Sequence, residues 1–211
     1  VNDYGIGDEL YEPIAEIGST TEAEAAIAII RAEMRSLIAE AGGDDEEERH
    51  STWSWRFRKM ITYELVAELL RRSGREEEID SVFIEGGLHY HCVLHRIANG
   101  NPTNALEHAC EYIREGYDVM RVAQAFLDAG MVNEVRRFLD HVAPMLPGRV
   151  PYREKILSLW ALAAEKTGNI ERALELRYQA FDEDPSVETY VEVIKIANAL
   201  GSGDEYDQKI I

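Results

Sequence analysis

The sequence predicts an all-α chain, an α-solenoid of antiparallel helix pairs preceded by a long N-terminal helix. Three observations predict it. Apolar residues recur at steps of three and four through most of the chain, the spacing of one helix face. Nearly every break between such stretches holds Gly or Pro, and none shows the sustained alternation of a strand. Finally, a punctuation pattern occurs twice. Gly130, Val135, Val142 and Pro147 stand at offsets 0, 5, 12 and 17, and Gly168, Ala173, Ala180 and Pro185 repeat those offsets 38 residues on.

Each element follows in order. Residues 1–50 read as an acidic lead-in and a first helix. In the lead-in, Leu10, Ile14 and Ile17 fit one short helix. Ser19 with Glu22, or Thr21 with Glu24, offers a capping box. The stripe Ala23, Ile27, Ile30, Met34, Leu37 and Ala41 follows, and Gly42-Gly43 stops it before the acidic loop Asp44 to Glu48. Residues 51–116 read as irregular helix pairs, led by a long helix with Trp53, Phe57, Ile61, Leu65 and Leu69 on one face and Gly74 at its end. Residues 117–200 hold the two matched repeats and a capping helix, and 201–211 a tail.

The repeat has a direct physical meaning. Gly permits the tight reversal after the first helix of a pair. A small residue on the second helix lets two backbones approach, and Pro ends that helix. One pair leaves an apolar face uncovered, so stacked neighbours supply the core. Gly74 and Gly100 mark two looser copies, with Ala105 at the small-residue offset.

The formal net charge is −18, with 40 acidic and 22 basic residues, and residues 1–50 carry 14 acidic against 3 basic side chains. Such a field opposes a phosphate backbone, so direct nucleic-acid binding is not expected. The basic run Arg56, Arg58, Lys59, Arg71, Arg72 and Arg75 reads as a solvated face pairing with acidic neighbours. With only Cys92 and Cys110, the chain does not rely on disulfides, and a reducing, cytoplasmic setting is expected. No apolar run is long enough to span a membrane, and no charged-then-apolar leader opens the chain. The start on Val1 reads as a trimmed fragment with sequence upstream.

The Gly, small-residue and Pro spacing resembles the tetratricopeptide repeat, most closely over 155–185. The segment from Ala173 through Tyr178, Ala180, Asp184-Pro185 and Thr189 to Tyr190 is also similar to the C-terminal helical region of prokaryotic SWIM zinc-finger proteins. The finger itself needs C-x-C and C-x-H, and the chain has neither. The zinc and DNA-binding roles of that family therefore do not carry over. At most the resemblance implies a helical domain of a larger zinc-finger protein, or a stand-alone relative.

Three constellations compete with plain packing. His89, His91, Cys92, His95, His108 and Cys110 fall within 22 residues, and His91 and His95 share a helix face. Two ligands do not close a zinc shell, so neither a bound metal nor a cofactor is expected. Should a metal bind there, the chain would read as a metal-assisted hydrolase. Arg136 and His141 match the spacing of the HEPN ribonucleases, a superficial likeness within the repeat. Trp53, Trp55 and Phe57 interleave with Arg56, Arg58 and Lys59, although Trp53 and Phe57 belong to the apolar stripe.

The favoured function is a non-enzymatic scaffold or adaptor that holds a protein or peptide partner, one bearing acidic groups, in a concave groove. The tetratricopeptide resemblance implies that the first helix of each pair lines that groove. Counting back from Gly130 and Gly168 puts Tyr117, Gln124, Lys155 and Lys166 there as candidate binding residues. Met120, Leu127 and Leu162 fall on the same line and serve equally well as packing between pairs.

Overall fold

The computed structural model describes residues 20–40, 51–148 and 150–210, with backbone alone for 20, 33–40, 51–56 and 58. The lead-in helix at Leu10 to Ile17, the Gly42-Gly43 stop, the acidic loop at Asp44 to Glu48 and the side chains of Trp53 and Trp55 lie outside the described residues. Within them the chain forms eleven α-helices and two short 3-10 turns, with no strand. No described helix is long and apolar enough to cross a membrane. The chain divides into two compact units, residues 1–88 and 89–211.

In the first unit α1 (Thr20–Glu40) packs on α2 (Ser51–Arg72), and α2 packs on α3 (Ile79–Glu85) after a 3-10 turn at Glu76–Glu78. The expected stripes face the core where side chains are described: Ala23 and Ile27 on α1 and Leu65 and Leu69 on α2 are buried, while Ile61 and Phe57 are half-buried. The basic end of α2 pairs with nearby acids. Arg71 and Arg72 both reach Glu68, and Arg75 reaches Glu78 at 2.6 Å and Glu24 at 3.8 Å. Such partly exposed pairs contribute about 0–1 kcal/mol each.

The second unit comprises α4 (His89–Ala98), α5 (Pro102–Tyr112), α6 (Gly116–Asp128) and α7 (Val132–Val142). A 3-10 turn at Ala143–Met145 leads to α8 (Arg153–Lys166), α9 (Ile170–Glu183), α10 (Val187–Ala199) and α11 (Gly203–Ile210). The last of these is a difference from the expected tail at 201–211. Asp204 and Glu205 in its first turn suit the positive helix N-terminus, and Tyr206 and Ile210 pack against the core.

One turn recurs after α4, α6, α8 and α10. Gly130 has φ +74° and Gly168 φ +81°, a left-handed conformation that costs other L-residues about 1–2 kcal/mol. The next residue then bonds back across the helix end, Met131 N–H to the Phe126 carbonyl at 2.8 Å and Asn169 N–H to the Ala164 carbonyl at 2.9 Å. The same bond follows Gly100 and Gly201, and in every case the next helix starts two residues after the glycine. The small residues of the repeat sit at the helix contacts: Val135, Val142, Ala173 and Ala180 are all buried, as is Ala105.

The contacts run both to the next helix and to the next but one. In the second unit α4 touches α5 and α6, α5 touches α7, α6 touches α7 and α8, and α7 touches α8. Then α8 packs on α9, α9 on α10 and α10 on α11. Polar ties reinforce the junctions. Trp160 on α8 donates its indole N–H to Asp140 on α7 at 2.8 Å, and Arg172 on α9 lies 4.8 Å from the Trp160 ring.

Candidate functional site

The interval between the two best-matched glycines is 168 − 130 = 38 residues, against 201 − 168 = 33 for the next. The longer interval contains the connection between α7 and α8, and this connection builds the site. Gly116, the first residue of α6, is buried, and a side chain there would bring its Cβ to 2.7 Å from the Pro151 carbonyl oxygen. Glycine alone therefore lets the connection lie against the start of α6. Tyr152, the next residue along, is the one non-glycine residue among those described with a positive φ, at +67°. Holding a bulky side chain there costs about 1–3 kcal/mol, and strain of that kind collects at ligand-binding positions.

The result is a ladder of rings and cations across α4, α6 and α8. The Tyr152 ring lies 5.4 Å from that of Tyr117, tilted by 54°, and Lys155 one turn on places its ammonium 6.0 Å from the Tyr152 ring. On α6, Tyr117 and Arg121 are four residues apart and share a face. Arg121 donates to the Tyr117 hydroxyl at 2.9 Å, and its guanidinium carbon lies 5.6 Å from the Tyr117 ring and 5.3 Å from the Tyr90 ring of α4. Tyr117 is 45 % exposed and Tyr152 43 %, so both rings face solvent while held in place. Tyr90 is half-buried, and that burial pushes its hydroxyl pKa up.

Asp118 lies half-buried at the edge of the ladder. Burial pushes its carboxyl above the ordinary carboxylate range, the negative charge of Glu115 adds to this, and His91 and Arg121 pull it partly back. A raised acid is more readily protonated in the folded chain than in the unfolded one. Its contribution to stability therefore falls as pH rises from the ordinary carboxylate value to the raised one, and stays low above that. Asp118→Asn should accordingly stabilise the protein at neutral pH. That gain should shrink as pH falls toward the ordinary carboxylate value, in urea titrations at a series of pH values. A gain independent of pH would show that burial of the charge is not the cause.

Of the four residues expected from sequence, the structure brings Tyr117 and Lys155 together through Tyr152. Gln124 lies further along the same exposed face of α6, where it donates to Asp128 at 2.7 Å. Lys166 stands apart, exposed at the far end of α8, about 16 Å along the helix axis from Lys155. Met120 and Leu127 pack against the core, and Leu162 is half-buried. Tyr90, Arg121 and Tyr152 escape a count back from the repeat glycines. Only the unusual length of the 130–168 interval points to Tyr152.

The histidine-rich stretch resolves differently. His89 and His108 approach through ring nitrogens at 3.1 Å, and Tyr112 stacks on His89 at 4.1 Å. His95 meets Asn99 at 2.9 Å, and Cys92 is fully buried. No group of three or more His, Cys, Asp or Glu among the described residues is placed to hold a metal ion. His141 lines a surface cavity of about 270 Å3 with Cys110 and Arg137 between α5 and α7, but Arg136 does not line it. The Arg136–His141 spacing therefore does not bring the pair to this cavity. No protein-family model matches the chain, and no curated protein matches it either.

Proposed function

We propose that the chain is a helical-repeat binding module of tetratricopeptide type, which holds a peptide segment of a partner protein across α4, α6 and α8. On this reading α4 with α5, α6 with α7, α8 with α9 and α10 with α11 are antiparallel pairs. The contacts of α4 with α6, of α6 with α8 and of α5 with α7 are then the stacking of one pair on the next. First helices form one face and second helices the other. The observation that carries the binding role is the ladder itself: exposed tyrosines and two cations, drawn from three first helices and held by a strained Tyr152.

Aromatic residues and Arg are the commonest anchors of binding surfaces, and truncating one well-packed anchor typically costs about 2 kcal/mol or more. The Tyr117→Ala/Lys155→Ala double variant should therefore lose a partner by well over tenfold while keeping its fold. The experiment is parallel affinity capture from the source lysate with the wild type and the double variant, read by quantitative mass spectrometry. Circular dichroism verifies that both proteins melt alike. A protein enriched by the wild type and depleted more than tenfold with the variant is the expected result. Equal recovery would remove the ladder from the binding site.

A further inference from the structure

We propose that Arg121 is the specificity-determining residue of this surface, and that it reads a carboxylate side chain on an extended peptide of polyproline II type lying over Tyr90, Tyr117 and Tyr152. The inference rests on the binding role proposed above and adds to it the chemistry of the occupant. Four features lead to it.

The first is the backbone of the surface. The ladder is carried by helices, whose interior N–H and C=O groups are already bonded to each other. An occupant finds no row of donors and acceptors to extend, as it would at a sheet edge. It must keep its own backbone solvated or internally bonded. Polyproline II segments do so without internal hydrogen bonds, and they dock on aromatic-lined surfaces. The exposed Tyr117 and Tyr152 rings, in tilted contact with centroids 5.4 Å apart, offer such a surface.

The second is the preparation of Arg121. Its guanidinium lies within cation–π reach of the Tyr90 and Tyr117 rings, and its hydrogen bonds to the Tyr117 and Tyr90 side chains fix its rotation. Five N–H donors in a rigid fork match a carboxylate in bidentate fashion, and a group already held in place loses little freedom on binding. The side chain is exposed, so the fork is open to a ligand.

The third is charge. The chain as a whole carries −18, so an acidic peptide gains nothing from the distant field. The ladder's own cations, Arg121 and Lys155, supply local attraction, which demands close contact and therefore favours discrimination over loose association. The fourth is the neighbouring acids. Asp118 is close enough to interact with Arg121, and Glu115 in turn with Asp118, so these acids disfavour excess negative charge. They penalise a doubly charged phosphate, or a chain of phosphates, more than a single carboxylate.

The test uses fluorescein-labelled decapeptides of alternating Glu and Pro, alternating Gln and Pro, and alternating phosphoserine and Pro, with an oligothymidylate of the same length. Binding to the full chain is read by fluorescence anisotropy at moderate salt. The Glu-Pro peptide should bind at least tenfold more tightly than each of the others. Arg121→Gln should bring the Glu-Pro and Gln-Pro peptides to equal affinity. Arg121→Lys, which keeps the charge but not the fork, should recover only a minor part of the preference. Equal binding of the Glu-Pro and Gln-Pro peptides to the wild type would overturn the proposal, as would a preference that survives in Arg121→Gln. Tighter binding of the phosphopeptide or the oligonucleotide would reassign the surface to phosphate and overturn it as well. If the two proline peptides bind equally and the Tyr117→Ala/Lys155→Ala variant binds neither, the groove stands and carboxylate recognition falls. If the Glu-Pro peptide does not bind at all, carboxylate recognition also falls, and the differential capture judges the groove independently.

Discussion

Phe126→Ala should lower the stability of the 89–211 unit by about 3–5 kcal/mol, the usual cost of emptying a fully buried aromatic site. Phe126 on α6 and Phe138 on α7 are both fully buried, with ring centroids 6.2 Å apart and planes inclined by 53°. That inclined arrangement adds attraction beyond the area removed from water. Val122 and Ala123 on α6 and Val135 and Leu139 on α7 are buried in the same close-packed core. A cavity would remain, and the cost rises with its volume. Phe126→Leu, which keeps most of the volume, should lose less than half as much. Urea unfolding followed by circular dichroism distinguishes the two. A loss below about 1 kcal/mol for Phe126→Ala would mean that α6 and α7 do not share this core.

The second large effect concerns Arg177, a buried cation on α9. Its guanidinium bonds Glu165 on α8 at 3.2 Å and also Glu192 on α10, so one side chain ties three successive helices. Removing one partner of a buried ion pair is costly because the other charge stays behind, typically about 3–5 kcal/mol. Here Glu165 and Glu192 are partly exposed and can turn toward water, which reduces the cost of leaving them unpaired. Arg177→Ala should therefore destabilise by about 2–4 kcal/mol, of which the lost packing of the aliphatic stem is one part. Arg177→Met retains that stem, so the difference between the two variants measures packing against charge. Equal stability of Arg177→Ala and wild type would show that the tie carries no energy.

The helical course of the chain was legible because its signals are local. Gly130 and Gly168 end helices through a backbone conformation that few other residues tolerate, and that requirement is written in the residue itself. Leu65 and Leu69 on α2 and the small residues Val135 and Ala173 likewise announce their burial by spacing alone. The helix at Gly203–Ile210 is hard to read from sequence for the complementary reason. Residues 203–210 have few apolar side chains, and what orders Tyr206 and Ile210 is their packing against the preceding helices. The candidate site was half legible. Tyr117 and Lys155 follow from position in a repeat, whereas Tyr152 depends on a strained loop residue and on the space left by Gly116, thirty-six residues earlier. Arg121 looks like any exposed helical arginine until Tyr90 is placed beside it. No spacing rule along one helix connects α4, α6 and α8.

In the proposed binding mode the face shared by α4, α6 and α8 receives the partner. The most direct measurement is a heteronuclear NMR titration of the isotope-labelled chain with the partner recovered by differential capture. Backbone resonances of Tyr90, Tyr117, Arg121 and Tyr152, together with the Arg121 side-chain Nε–H, should shift first and furthest. Glu107, Arg137 and His141, which line the cavity between α5 and α7, should stay in place. Shifts concentrated on those three residues, with the tyrosine ladder unmoved, would contradict the account and move the binding site to the second helices.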